Sequence, residues 1–104
     1  MKTRHKFLCG VIVGLLFSWQ ALAAELWIDV RTAEEYATGH HPQAINIPYN
    51  EIAEKIAAYA DSKEQPINLY CRSGRRAGIA KDTLEALGYS KVANLGGYTD
   101  VMKQ

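Results

Sequence analysis

The chain has 104 residues and a formal charge of +1, from 12 Lys plus Arg against 11 Asp plus Glu. That length holds one domain rather than two. With 48% hydrophobic and 22% charged residues the composition is ordinary for a globular protein, which excludes wholesale disorder, and a nearly balanced charge lacks the basic footprint of a nucleic-acid binder.

The first element is an address. Lys2, Arg4 and Lys6 precede an uncharged apolar run, Phe7–Phe17, and Ala21-Leu22-Ala23 follows as a small-x-small site. A basic start, a short apolar stretch and such an end describe a secretory signal peptide over residues 1–23. The alternative, an uncleaved anchor, asks for about 20 apolar residues, more than Phe7–Phe17 supplies. Cleavage after Ala23 leaves residues 24–104 as one exported domain in the periplasm, without stable membrane association. The leader carries away three basic residues and Cys9, so the remainder is slightly acidic and Cys71 is its lone cysteine. A lone thiol in an exported protein is an intermolecular bridge or a reactive group.

Leu26–Val30 is rich in β-formers and predicts a buried strand. Thr32 and Glu35 have capping-box spacing, so a short helix spans Ala33–Thr38 and ends at Gly39. Ala44–Ile47 is a second strand, stopped by Pro48. Asn50 is placed to cap a helix running to Ala60, with Ile52, Ile56, Tyr59 and Ala60 inward. Ile67–Tyr70 is a third strand. A helix over Ala77–Leu87 turns Ile79, Ala80, Leu84 and Leu87 inward and is capped by Gly88. Lys91–Leu95 is a fourth strand, broken by Gly96-Gly97, and Tyr98–Gln104 forms a last short helix. Strands alternating with helices predict an α/β fold, a parallel sheet of four to five strands flanked by helices on both faces.

Ligands of such sheets bind beyond the carboxyl ends of the strands, where Cys71 falls. The loop Cys71-Arg72-Ser73-Gly74-Arg75-Arg76 leads into a helix N-terminus, whose free backbone N–H groups favour an anion. Gly74 supplies the conformational freedom of a tight loop, and three arginines add positive charge. The expectation is a thiol shifted toward thiolate by helix end and arginines together, in a loop that also attracts an anionic substrate. Only one or two of the arginines face the loop centre; the others have Glu85 or Asp82 as ion-pair partners. Alternatives are a buried structural cysteine and a disulfide-linked dimer.

The segment Tyr70–Ala77 resembles the active-site loop of rhodanese-type sulfurtransferases. Asp29-Val30-Arg31, Glu34-Glu35-Tyr36, Gly39-His40 and Ala44–Pro48 resemble that family's first signature, and Leu87-Gly88-Tyr89, Val92 and Asn94–Tyr98 its last. The resemblance covers residues 26 to 98 in order and is to the minimal, exported, single-domain type. It implies ping-pong transfer of a sulfane sulfur from thiosulfate to cyanide or a thiol, through a persulfide on Cys71 held by backbone N–H groups of residues 72–76. It implies neither a metal nor an organic cofactor. Arg72, Ser73, Gly74, Arg75 and Arg76 become the substrate-binding residues, Arg72 and Arg75 foremost. Oligomeric state is open, with a monomer the default.

Three features depart from the family pattern. Gln43 stands where glycine is common, Val101 where an aromatic is common, and the usual opening strand is short or missing. Asp29 and Arg31 are expected as structural ion-pair residues with Glu34 or Glu35 as partners. His40-His41 lacks the further ligands of a metal site. A cysteine phosphatase needs Cys-x5-Arg, but Ala77 holds that position. A thiol oxidoreductase lacks its Cys-x-x-Cys. The remaining alternative is a non-enzymatic persulfide carrier that delivers sulfur to a docked protein.

Overall fold

A computed structural model describes residues 24–104; the signal-peptide reading of residues 1–23 lies outside the described residues. Four parallel strands form one sheet: β1 (Leu26–Asp29), β2 (Ala44–Asn46), β3 (Ile67–Cys71) and β4 (Val92–Gly97), in the order β2-β1-β3-β4. The connecting helices are α1 (Ala33–Thr38), α2 (Ile52–Lys55, continued by a 3-10 turn Ile56–Ala58), α3 (Arg75–Ala86) and α4 (Tyr98–Val101).

Strand side chains alternate between two cores. Ile28 and Val30 from the first strand and Ile67, Leu69 and Cys71 from β3 share one face with Ile52, Ile56, Ala77, Ala80 and Leu84 of the helices. Trp27 and Tyr70 point the other way and pack with Ala44, Leu95, Tyr98 and Val101. Helices therefore cover both faces, as a parallel sheet requires. Val101 fills the site where an aromatic was the expectation, with Trp27 and Tyr98 supplying the rings beside it. The expected glycine is not required at Gln43 either, because no non-glycine residue described has a positive φ.

Helix α1 starts as its capping box dictates: Glu35 N–H donates to Thr32 Oγ1 and Thr32 N–H donates to Glu35 Oε1. Helix α2 corrects the sequence reading. Glu51, not Asn50, is its N-cap, the α-helical part lasts four residues, and Tyr59 faces solvent. Two buried isoleucines, Ile52 and Ile56, hold this short piece, which is too brief to be stable alone. Helix α3 begins two residues before Ala77, so Arg75 and Arg76 belong to its first turn. It buries Ala77, Ala80 and Leu84, while Ile79 and Leu87 are 39% and 42% exposed, contrary to expectation. Residues 77, 80 and 84 form an i, i+3, i+7 stripe, and residue 79 falls outside it.

Strand β4 runs through Gly96-Gly97 instead of ending at Leu95. The ladder pairs Leu69 with Asn94 and then Cys71 with Gly97, so β4 carries an extra residue opposite Tyr70. That bulge sits at the carboxyl end of the sheet. Chain direction across the sheet also reverses between β1 and β3, and the crevice at such a reversal is where open α/β sheets bind ligands.

Candidate active site

Cys71 is the last residue of β3, 1% exposed, and the loop after it folds back over its sulfur. Gly74 caps α3 with φ +99 and offers no side-chain cap. The helix's free N–H groups turn to sulfur instead: Gly74 N–H donates to Sγ at 2.9 Å and Ala77 N–H at 3.4 Å. Burial pushes the Cys71 thiol up, but the backbone N–H groups of Ala77, Ser73, Gly74 and Arg76 outweigh it, and the net shift is downward. The direction agrees with the sequence expectation. The leading cause is backbone rather than arginine charge, because the helix start aims its N–H dipoles directly at the sulfur.

Neighbouring backbone locks this loop. A Cβ on Gly97 would collide with the Arg72 carbonyl, and a Cβ on Gly74 would come within 3.3 Å of Gly96 Cα. Asn94 ties the two segments together. Its Nδ2 donates to the Gly74 carbonyl at 2.9 Å, and its Oδ1 accepts from Gly96 N–H at 2.9 Å. Asn94 was visible in the sequence only as part of a motif; its spacing carries no sign that it reaches back 20 residues to the cysteine loop.

The arginines divide into two groups. Arg72 and Arg75 are exposed and make no ion pair among the described residues. Arg76 is engaged: its guanidinium donates to both carboxylate oxygens of Glu35, at 2.7 and 3.0 Å. Neither Glu85 nor Asp82 takes that role. Arg76 holds the Glu35 carboxyl down to about 2, so one carboxylate clamps the start of α1 to the start of α3. Arg76 therefore turns its backbone N–H toward Cys71, while its side chain neutralises Glu35.

Arg31 pairs not with Glu34 or Glu35 but with Asp29. Nε and Nη2 donate to the Asp29 carboxylate at 2.7–3.0 Å, and Nη2 also donates to the Gly39 carbonyl at 2.7 Å. Both residues are buried, and Asp29 raises the guanidinium pKa further. Arg31 lies over the ring of Tyr98 at 4.6 Å. It thereby fixes the chain two residues past β1 beside Tyr70 and Tyr98. The two histidines separate: His40 stacks on Tyr36 and His41 on Trp27, so adjacent side chains serve different partners. A cleft of about 340 Å³ opens at this end of the sheet, lined by Arg31, Glu35, Thr38, Arg72, Tyr98 and Thr99.

A thiol of lowered pKa, cradled by N–H groups at a helix start and flanked by two free guanidinium groups, can act as a nucleophile toward an anionic electrophile and can hold an anionic product.

Comparison with known proteins agrees with this chemistry. Residues 18–104 match the Rhodanese-like domain family. The chain is similar to Thiosulfate sulfurtransferase PspE of Escherichia coli, with 44% identity over 89 residues covering 86% of each chain. Among solved structures it is similar to a rhodanese with anions from E. coli, at TM-score 0.72 and 45% identity over 74% of this chain and 91% of that one. It is also similar to the human single-domain sulfurtransferase TSTD1, at TM-score 0.65 and 27% identity over 91% and 92% of the two chains.

Proposed function

Because the chain belongs to the rhodanese family, we propose that it is a thiosulfate sulfurtransferase in which Cys71 is the sulfur-carrying nucleophile. The observation that carries the reading is the sulfur's seat: Cys71 Sγ accepts backbone N–H groups at the start of α3, and its pKa is lowered there. Thiosulfate is the donor in the name of the E. coli relative, and anions are present in the solved E. coli structure. Both fit an electropositive loop.

In the first half-reaction the Cys71 thiolate attacks the outer sulfur of thiosulfate. A bond forms between Sγ and that sulfur, the sulfur–sulfur bond of thiosulfate breaks, and sulfite leaves with the electron pair. Arg72 and Arg75 draw the dianion to the loop, since neither has a competing carboxylate. The terminal sulfur of the new persulfide is an anion, and the N–H groups of Ser73, Gly74, Arg76 and Ala77 that favour the thiolate also favour it. In the second half-reaction cyanide or a thiol takes the sulfane sulfur and returns Cys71 to thiolate. No step calls on a metal or organic cofactor.

Thiocyanate formation from thiosulfate and cyanide, followed alongside intact mass for wild type and Cys71→Ala, tests the proposal. Wild type gains one sulfur atom with thiosulfate and turns over, and the variant does neither. A wild type that gains the sulfur without turnover would be the persulfide carrier instead. Residues 1–23 are read as the leader of a periplasmic protein; N-terminal sequencing of the exported form starting at residue 24 is the corresponding result.

A further inference from the structure

We propose that Asn94 is a positioning residue for the sulfur-transfer reaction: from the neighbouring strand it holds the Gly74 carbonyl and so keeps the start of α3 aimed at Cys71 Sγ. This rests on the sulfurtransferase reading and adds a residue to the same site. The need for such a residue comes from Gly74. A helix start is ordinarily fixed by the side chain of its N-cap residue, and Gly74 has none. Glycine is also the residue with the least constrained backbone. Yet Gly74 is held at φ +99, ψ −14, with its N–H 2.9 Å from Sγ. Its carbonyl accepts the first helical bond, from Gly78 N–H at 2.9 Å. That bond runs along the helix and does not fix how the first turn sits against the sheet.

Asn94 supplies the missing restraint from outside the helix. Nδ2 donates to the second lone pair of the Gly74 carbonyl at 2.9 Å. The amide lies against the first turn of α3, 3.5 Å from the place a Cβ on Gly78 would take. Its Oδ1 accepts Gly96 N–H at 2.9 Å, and Gly96 belongs to the bulge of β4 opposite Tyr70. One planar amide therefore holds both sides of the contact between the cysteine loop and β4.

Residue type points to the same role. Asparagine is depleted in strands, and Asn94 lies within β4 at an exposed position where packing asks for no particular side chain. A residue that goes against its local preference marks a place where another demand prevails. The demand at position 94 is a donor and an acceptor at the end of one short side chain, which asparagine provides. Aspartate lacks the donor, and glutamine sets the amide one methylene further out. The donors to Sγ are Gly74 and Ala77, so Asn94 acts through Gly74 rather than on the sulfur.

The test is the pH dependence of Cys71 alkylation by iodoacetamide in Asn94→Ala and Asn94→Asp. The first removes both bonds; the second keeps an acceptor for Gly96 N–H and removes the donor to Gly74. Neither alters the charges around the loop, which are Arg72, Arg75, Asp100 and the Arg76–Glu35 and Arg31–Asp29 pairs. The new carboxylate of Asn94→Asp is screened by comparing it with wild type at about 1 M potassium chloride, where the Debye length is about 3 Å. Both variants are expected to titrate about 0.3–1 pH unit above wild type, a roughly two- to tenfold loss of thiol acidity, the size of one neutral hydrogen bond. The acid limb of kcat/KM for thiosulfate moves up by the same interval. A role confined to stability would shift urea unfolding and leave the alkylation midpoint in place. A folded Asn94→Ala protein with the wild-type midpoint therefore overturns the proposal. So does an Asn94→Asp protein with the wild-type midpoint, which would make Gly96 the contact that matters. Alkylation uses no thiosulfate, so these outcomes are separate from the sulfurtransferase reading, which falls instead if wild-type Cys71 gains no sulfur in mass.

Discussion

Replacing Gly74 with alanine tests whether peptide geometry sets the reactivity of Cys71. Gly74 has φ +99, and an added Cβ would lie 3.3 Å from Gly96 Cα. Left-handed backbone costs an L-residue roughly 1–2 kcal/mol. Gly96 cannot swing aside as a flexible side chain would, since Asn94 holds its N–H. The loop relieves the strain by rotating at residue 74, which carries the Gly74 N–H away from Sγ, now 2.9 Å distant. A hydrogen bond to a charged group contributes roughly 1.5–3 kcal/mol. A tenfold change in acidity corresponds to about 1.4 kcal/mol, so losing this bond lowers the thiol's acidity about ten- to a hundredfold. The assay is the pH dependence of alkylation by iodoacetamide, with urea unfolding in parallel. The wild-type midpoint is expected below the ordinary cysteine value of 9.0, and the variant's at least about one pH unit higher, with stability reduced by about 1–2 kcal/mol. A folded Gly74→Ala protein with an unmoved midpoint would refute the claim that backbone N–H groups poise the sulfur.

Three further outcomes are expected. Glu35→Gln should cost about 1 kcal/mol at neutral pH, measured by urea unfolding, because it breaks the bidentate charged pair with Arg76 while leaving an oxygen for the capping box. Glu35's folded pKa is depressed to about 2 from 4.5, so its contribution is complete above pH 4.5 and is lost as pH falls toward 2; the gap between the two proteins closes over that window. Leu84→Ala should lose about 2.7–5 kcal/mol and Leu87→Ala less than about 0.5 kcal/mol, a contrast that thermal melts would show and that the buried stripe of α3 demands. Asp29→Asn leaves a buried guanidinium without its counter-charge at a cost of about 3–5 kcal/mol, most of a small domain's stability, so circular dichroism should show a broad, low-temperature transition or none.

Local signals were legible in the sequence because their causes are local. The Thr32–Glu35 capping box, the buried third strand and the position of Cys71 at its end all follow from neighbours a few residues away. The phase of α3 was not legible in full. Ile79 and Leu87 are more apolar than Ala77, but the helix packs on the sheet through small residues, and its start is set by the backbone of Gly74 rather than by the first apolar side chain. The partners of the charges were hidden for a different reason. Arg76 meets Glu35 across 41 residues, and Asn94 meets Gly74 across 20, contacts that exist only once parallel strands bring their carboxyl ends to one edge. The extra residue in β4 belongs to the same class: two glycines signal a break, and only the register shows that the strand continues past it.

The cradle around Cys71 Sγ consists of peptide N–H groups, which every residue but proline carries. The side chains at 72, 73 and 75 are exposed and can be exchanged without removing a single backbone donor from the sulfur. Reactivity and selectivity are thus inherited separately in this loop. Its outward residues are free to drift toward new donors or acceptors, whereas the nucleophile changes only if the residues that shape its backbone do.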